Sequence, residues 1–237
     1  MIAIAQTHIG LVRKANEDSV LCLQEEGLFA VADGMGGHKG GQAASQGAVS
    51  VLKEALRGKK PASRQAEWAV QAANRRLFEM ASQDEALEGM GTTLTLLWAA
   101  PGEMLLAHVG DSRGYLMRQG ELRQVTQDHS LVAQMVKEGL ITPDQAMHHP
   151  YRNVITRAVG TSHGVEVDVA AFPRQKGDIW LLCSDGLHGQ VAEEEIAQLL
   201  KANPPEKAAQ ALLDAALKEG GRDNISLILL KDEEGAQ

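Results

Sequence analysis

The sequence predicts an α+β fold built on largely antiparallel sheet, with helices inserted in blocks. Three observations predict it. Four strand candidates, 92–100, 103–109, 113–118 and 121–126, follow one another through Pro101-Gly102, Gly110-Asp111-Ser112 and Gln119-Gly120. Tight turns of this kind join antiparallel neighbours, whereas parallel strands need long crossovers. Two Ala-rich stretches, 41–56 and 63–81, carry helical spacing and are parted by Gly58-Lys59-Lys60-Pro61. Elements therefore come in runs rather than in alternation, which is the α+β pattern and not the doubly wound one. No repeat or linker interrupts the 237 residues. One domain is expected over 1–231, with 232–237 a frayed tail.

In chain order, residues 2–8 alternate apolar and polar and form a first strand. A polar connection, 10–18, carries Arg13, Asn16, Glu17 and Asp18. The runs 20–23 and 28–32 are strands turning at Glu25-Glu26-Gly27. The second ends on Asp33, and five glycines follow before residue 42, so the backbone there can approach a ligand closely. Segment 129–160 holds two short helical pieces, with Thr142-Pro143 as N-cap and first-turn residue of the second. It is irregular around His148-His149-Pro150. Strands return at 165–172 and 178–183, helices at 192–201 and 205–219, and a last strand at 225–230. Trp68, Trp98 and Trp180 fall in these patterns and are expected in the core. His108 is expected to be packed or hydrogen-bonded within its strand. His188 either caps locally or supports Asp185.

Composition narrows the function classes. Hydrophobic residues make up 44% of the chain and aromatics 3%, so the core is aliphatic. Asp and Glu number 31 against 23 Lys and Arg, a net charge of -8 that argues against a nucleic-acid partner. Cys22 and Cys183 lie in apolar runs and read as free thiols of a reducing compartment. No signal-like leader or bilayer-length apolar run is seen, so a cytoplasmic chain without membrane insertion is expected.

Five aspartates share one local context, at a strand's end beside a small residue: Asp18, Asp33, Asp111, Asp185 and Asp223. A lone Asp of this kind is usually a turn former, and Asp33 by itself reads equally as a capped turn or a ligand. Five such residues around one core would repel each other without cations. Oxygen-only ligands suit Mg²⁺ or Mn²⁺, and no His/Cys spacing typical of zinc is present.

Arg13-x-x-Asn16-Glu17-Asp18, Val31-Ala-Asp33-Gly34-Met-Gly-Gly, Gly91-Thr92-Thr93, Val109-Gly-Asp111-Ser-Arg113, Ser184-Asp185-Gly186 and Asp223-Asn224 resemble, in order, the motifs of the metal-dependent protein phosphatases. This is the PPM family, or type 2C serine/threonine phosphatases. Thr126-x-Asp128-His129-Ser130 and Arg152-Asn-Val-Ile155-Thr156-Arg157-Ala-Val-Gly160 resemble its bacterial branch. The resemblance implies a four-layer α-β-β-α sandwich, with two antiparallel sheets and helices on both outer faces. It implies a centre of two Mn²⁺ or Mg²⁺ ions. Asp33 would bridge them, the Gly34 carbonyl would bind one, and Asp185 and Asp223 would be ligands. Glu17 and Asp18 would bind partly through water, Asp111 would join Asp185 at a third ion, and Arg13 would grip the substrate phosphate. The implied reaction is hydrolysis of phosphoserine and phosphothreonine by in-line attack of a hydroxide bridging the ions, with no covalent intermediate. Implied partners are phosphorylated proteins and a cognate Ser/Thr kinase, and a monomer is expected.

The sequence omits the signatures of other phosphatases. Neither Cys22 nor Cys183 has an Arg six residues on, there is no Asp-x-Asp-x-Thr, and Gly110-Asp111 is not followed by x-His-Gly. Rival readings are a catalytically dead scaffold of this fold, and a phosphatase of the same fold acting on a bacterial regulator such as an anti-sigma-factor antagonist. One departure stands out: Met35 occupies the place where many eukaryotic relatives carry a His proposed as general acid. His148 and His149, in a flap-like segment spanning 129–160, either approach the substrate in its stead or are solvated surface residues.

Overall fold

The computed structural model describes residues 1–235. Ala236 and Gln237, the end of the predicted tail, lie outside the described residues. Eleven strands form two antiparallel sheets. The first has the order β1(Ile2–His8)-β11(Ile225–Lys231)-β10(Ile179–Cys183)-β7(Arg113–Arg118)-β8(Glu121–Gln124). The second runs β2(Asp18–Leu23)-β3(Leu28–Met35)-β5(Leu94–Ala100)-β6(Glu103–Val109)-β9(Asp168–Pro173), with the short β4(Gly91–Thr92) also paired to β3.

The central strands β3, β5, β10 and β11 are buried on both faces, which is why they read as mostly apolar runs, whereas β1, β8 and β9 keep exposed residues. Side-chain alternation divides β3: Phe29 and Val31 point between the sheets, beside Trp180, Leu182 and Ile228. Ala30 and Ala32 face outward under α1(Gly37–Leu56) and α2(Ser63–Gln83), against Ala44, Ala48, Leu52 and Ala73. The outer face of the first sheet is covered by α5(Asp185–His188), α6(Glu193–Ala202) and α7(Pro205–Lys218), with Leu181, Leu187, Ile196, Leu212 and Leu229 in one cluster. The layers are therefore α-β-β-α, as expected.

Several expectations change. The turn at Gly110-Asp111-Ser112 does not make a hairpin: β6 pairs with β5 and β9, whereas β7 pairs with β10 and β8. The chain crosses from one sheet to the other there, with Gly110 at φ +111°. By contrast, Gln119-Gly120 does close a two-residue hairpin, with both residues at positive φ as a type I′ turn demands. Helix α1 begins at Gly37 rather than near 41, so part of the glycine run is helical. Trp98 and Trp180 are buried, but Trp68 is 54% exposed. The buried stripe of α2 runs through Ala66, Ala69, Val70, Ala73 and Leu77, out of phase with position 68.

The tail also differs from the frayed end expected from 232. Asp232 is buried and takes a bidentate contact from Arg174, at 2.6 and 3.0 Å. The Asp232 N–H donates to the Asp178 carbonyl at 2.9 Å. A buried carboxylate demands such partners, so the ordered chain extends past β11.

The segment between β8 and β9 carries α3(Leu131–Lys137), N-capped by Ser130, and α4(Pro143–Met147). Thr142 and Gln145 form a reciprocal capping box on α4. The segment is stitched back to the body by Thr92 and Val159, which exchange backbone bonds at 3.0 and 2.8 Å. Among the described residues, no helix is long and apolar enough to cross a membrane.

Candidate active site

All five strand-end aspartates come to the same rim of the sandwich. Asp18 opens β2 and lies opposite Asp33 of β3 in the antiparallel register. Asp185 follows β10, Asp223 precedes β11, and Asp111 sits where the chain crosses between sheets. Like charges directly across a ladder are destabilising, and here they are also poorly hydrated. Burial pushes the Asp18 carboxyl up to about 7, with the charges of Asp185 and Asp223 adding to it and serine hydroxyls opposing. Burial, then Asp185 and Asp128, carries Asp111 to about 7. Burial and Asp223 raise Asp185 to about 6, against a hydrogen bond to Asp33 and the charge of Arg13. Asp33 is raised well above its ordinary value by burial, then by Asp18, Asp185, Asp111 and Asp223. Asp18, Asp111 and Asp185 thus each feel other members of the ring, and Asp33 feels the remaining four.

The backbone is built to hold Asp33. Its N–H donates to Thr93 Oγ1 at 2.9 Å, and its carbonyl accepts from the Thr92 hydroxyl at 2.9 Å and the Thr93 N–H at 2.9 Å. That explains the Gly91-Thr92-Thr93 motif, to which the sequence alone assigned no role. Gly34 is required for space: a Cβ there would lie 2.0 Å from the Gly41 carbonyl oxygen. Gly41 in turn lets the Glu17 carboxylate pass, since its own Cβ would meet Glu17 Oε2 at 2.8 Å. Arg113 joins two motifs by a bidentate pair with Asp128, its closest contact being 2.8 Å. His188 donates from Nε2 to the Asp111 carbonyl at 3.0 Å, and burial, then Arg113, lowers it to about 3, so it is a neutral support for the crossing loop. His108 bonds Thr95 and the Gln127 carbonyl inside the core, as expected.

Asn224 is the functional residue that sequence reasoning missed, although its motif had been noticed. Its Nδ2 donates to the Ile9 and Ala15 carbonyls, each at 2.9 Å, and its Oδ1 accepts from the Glu17 N–H at 2.7 Å. One buried side chain therefore ties the loop bearing Arg13, Glu17 and Asp18 to the strand that follows Asp223. An Asn beside an Asp before a strand is a weak signal, because its partners lie more than 200 positions away. Asn224→Ala is expected to destabilise the protein by about 1–3 kcal/mol, the cost of orphaned buried polar groups, and to weaken Mn²⁺ binding; urea denaturation and metal titration measure both.

The flap histidines are not brought to the ring. His148 is exposed, and His149 stacks on Tyr151 and accepts its N–H at 3.2 Å. No hydrogen bond, ion pair or ring contact links either to the aspartates among the described residues. Met35 packs its methyl towards Gly91.

The donor set fits hard divalent cations. Among the described residues, Asp18 Oδ1 is buried with no hydrogen-bond partner, while Oδ2 accepts from the Ser184 hydroxyl at 2.8 Å. A buried, partnerless carboxylate oxygen within a ring of carboxylates calls for a cation or a proton. Among the described residues, no three His, Cys, Asp or Glu side chains already stand at ligand spacing. Mg²⁺-type sites need few carboxylates because water fills the rest of the shell. Arg13 donates to Asp223 at the edge of the ring, and the remaining donors of its fork are available to an anion.

Carboxylates gathered from both sheets at the rim of an α-β-β-α sandwich, beside an arginine, make a candidate divalent-cation site. The chain belongs to the protein phosphatase 2C family, whose model matches residues 12–220. It is 42% identical over 228 residues to the serine/threonine protein phosphatase PstP of Mycobacterium tuberculosis, covering 95% of this chain and 44% of that relative. It is 38% identical over 242 residues to the serine/threonine phosphatase stp of Listeria monocytogenes, covering 98% and 96%. The chain therefore spans less than half of the mycobacterial relative and nearly all of the Listeria one. The crystal structure of the M. tuberculosis phosphatase PstP/Ppp superposes with a TM-score of 0.93 at 40% identity, covering 98% and 99% of the two chains. The PstP catalytic domain in complex with two manganese ions superposes at 0.89 with 39% identity, covering 96% of each.

Proposed function

We propose that this chain removes phosphate from phosphoserine and phosphothreonine in proteins, using Mn²⁺ or Mg²⁺, and so opposes a Ser/Thr kinase in the cytoplasm of a bacterium. The observation that carries the proposal is the ring itself: five aspartates from two sheets, one with a buried partnerless oxygen, facing Arg13. The relatives' names support the same reading.

In this reading Asp33, which feels all four other aspartates, would hold two ions together with the Gly34 carbonyl, Asp185 and Asp223. Glu17 and Asp18 would bind partly through water, and Asp111 with Asp185 would hold a third, weaker ion. When bound, such ions lower the pKa of water and clamp the attacking and leaving oxygens of an in-line displacement. Arg13 turns the free part of its guanidinium to the phosphate, which its planar fork matches. Asn224 and the threonines at 92 and 93 keep these groups in place before substrate arrives. Met35 cannot transfer a proton and neither flap histidine is brought to the ring, so water held at the site would protonate the leaving alcohol. His148→Ala and His149→Ala are accordingly expected to leave kcat and its pH profile unchanged; a lost alkaline limb in either variant contradicts this.

The experiment is phosphate release from a phosphothreonine peptide with Mn²⁺ and with a chelator. Release that stops with the chelator and returns with Mn²⁺ supports the proposal. Release that persists without metal refutes it.

A further inference from the structure

Beside Arg13 the chain exposes three aliphatic side chains in succession: Ile9 at 36%, Leu11 at 66% and Val12 at 66%. Exposed aliphatic residues scattered singly need no explanation, but these adjoin the phosphate-facing arginine on a loop that is held fast. The Leu11 N–H donates to the Gly221 carbonyl at 2.7 Å, and the Gly10 N–H to His8 Nδ1 at 2.9 Å. Asn224 holds the carbonyls of Ile9 and Ala15. Gly10 has φ +83°, and the Asp223 carbonyl oxygen lies 2.2 Å from where its Cβ would be. The loop cannot turn these side chains inward without breaking the contacts that place Arg13 and Asp223.

The surroundings say what the patch can receive. Arg13, Lys14 and Arg222 are exposed around it and suit the phosphate dianion. Leu11 leans over Gly221, next to the turn that leads to Asp223, so the apolar surface is continuous with the rim of the ring. Leu11 and Val12 directly precede Arg13, and Leu11 lies against Gly221, two residues before Asp223, so a substrate residue flanking a phosphate held by Arg13 passes this loop.

We propose that Ile9, Leu11 and Val12 form a specificity subsite for a large aliphatic side chain adjacent to the phosphoserine or phosphothreonine of the substrate protein. This rests on the phosphatase reading and narrows its substrate class. Burial of that side chain adds binding which a polar or acidic neighbour cannot obtain.

The test compares kcat/KM for two phosphothreonine peptides that differ only in carrying Leu or Ser beside the phosphothreonine. The enzymes are the wild type, Val12→Ser, and the double variant Leu11→Ser/Val12→Ser. The wild type is expected to favour the Leu peptide by about 10-fold or more, and the double variant to bring the ratio within about twofold of one. Because the readout is a ratio within one enzyme, changes in folding or metal loading cancel. A wild-type ratio near one overturns the inference while leaving the phosphatase reading intact, and so does a ratio that survives in the variants. A dimer seen by sedimentation that the substitutions dissolve, with the ratio unchanged, gives the face to a second copy and also overturns it. Absence of release from both peptides with Mn²⁺ overturns the phosphatase reading, and this inference with it.

Discussion

Asp33→Asn is expected to lower kcat for a phosphothreonine peptide by roughly 10²–10³-fold or more, the cost of removing a main electrostatic element from a preorganised site. The expectation follows from the position of Asp33. It is the member of the ring that senses all four other aspartates, and both of its peptide groups are tied to Thr92 and Thr93. Asn keeps the shape and those backbone bonds but cannot carry the negative charge that draws divalent ions together. The fold should survive the change, because no packing contact is lost. A steady-state assay at saturating Mn²⁺, with the unfolding midpoint measured alongside, separates a chemical defect from a structural one. Full activity in Asp33→Asn would remove the bridging role assigned to it.

The second large effect concerns stability and pH in the metal-free protein. Asp18 and Asp111 are raised to about 7 and Asp185 to about 6 from an ordinary 3.8. A carboxyl whose folded pKa lies above its unfolded value favours the folded state when protonated. That contribution is complete below the ordinary pKa and is lost as pH climbs through the folded value. The window therefore runs from about pH 4 to about pH 7. Buried histidines act the other way: burial lowers His108 to about 4 and His188 to about 3, so acid destabilises through them. A difference between wild type and Asp18→Asn cancels the histidine contribution. With chelator present, Asp18→Asn is expected to be more stable than wild type at pH 8, by on the order of 2–4 kcal/mol, and the gap should shrink towards pH 5. Mn²⁺ should reverse the order, since a ligand at 100 times its dissociation constant adds about 2.7 kcal/mol to the form that binds it. Urea denaturation at both pH values, with and without metal, measures this. The ring would then be a place where stability is given up for cation binding.

Much of this fold is legible in the chain because its central strands are buried on both faces. The runs at 28–32 and 179–183 have no polar interruption, and 225–230 has only the buried Ser226. The aspartates are legible because each terminates or opens such a run, so strand order alone puts them at ends. Long-range facts are not written locally. Gly110-Asp111-Ser112 has the composition of a hairpin turn, yet it switches sheets, because turn propensity says nothing about which strand will be the partner. Asp232 sits in a charged, tail-like stretch and is buried only because Arg174 reaches it across 58 positions. Trp68 shows that helical spacing gives an apolar stripe without its phase when the buried positions are mostly alanine. The role of Asn224 depends on three partners brought together only by the finished sandwich.

The most direct test of the central claim, that the aspartate ring is a divalent-cation site serving catalysis, is a calorimetric titration of Mn²⁺ into metal-free wild type and metal-free Asp33→Asn, with phosphate release measured on the same samples. Saturable binding of more than one equivalent to the wild type is predicted, reduced in Asp33→Asn together with turnover. Equal binding by the two proteins, or turnover by the variant at the wild-type rate, would contradict it.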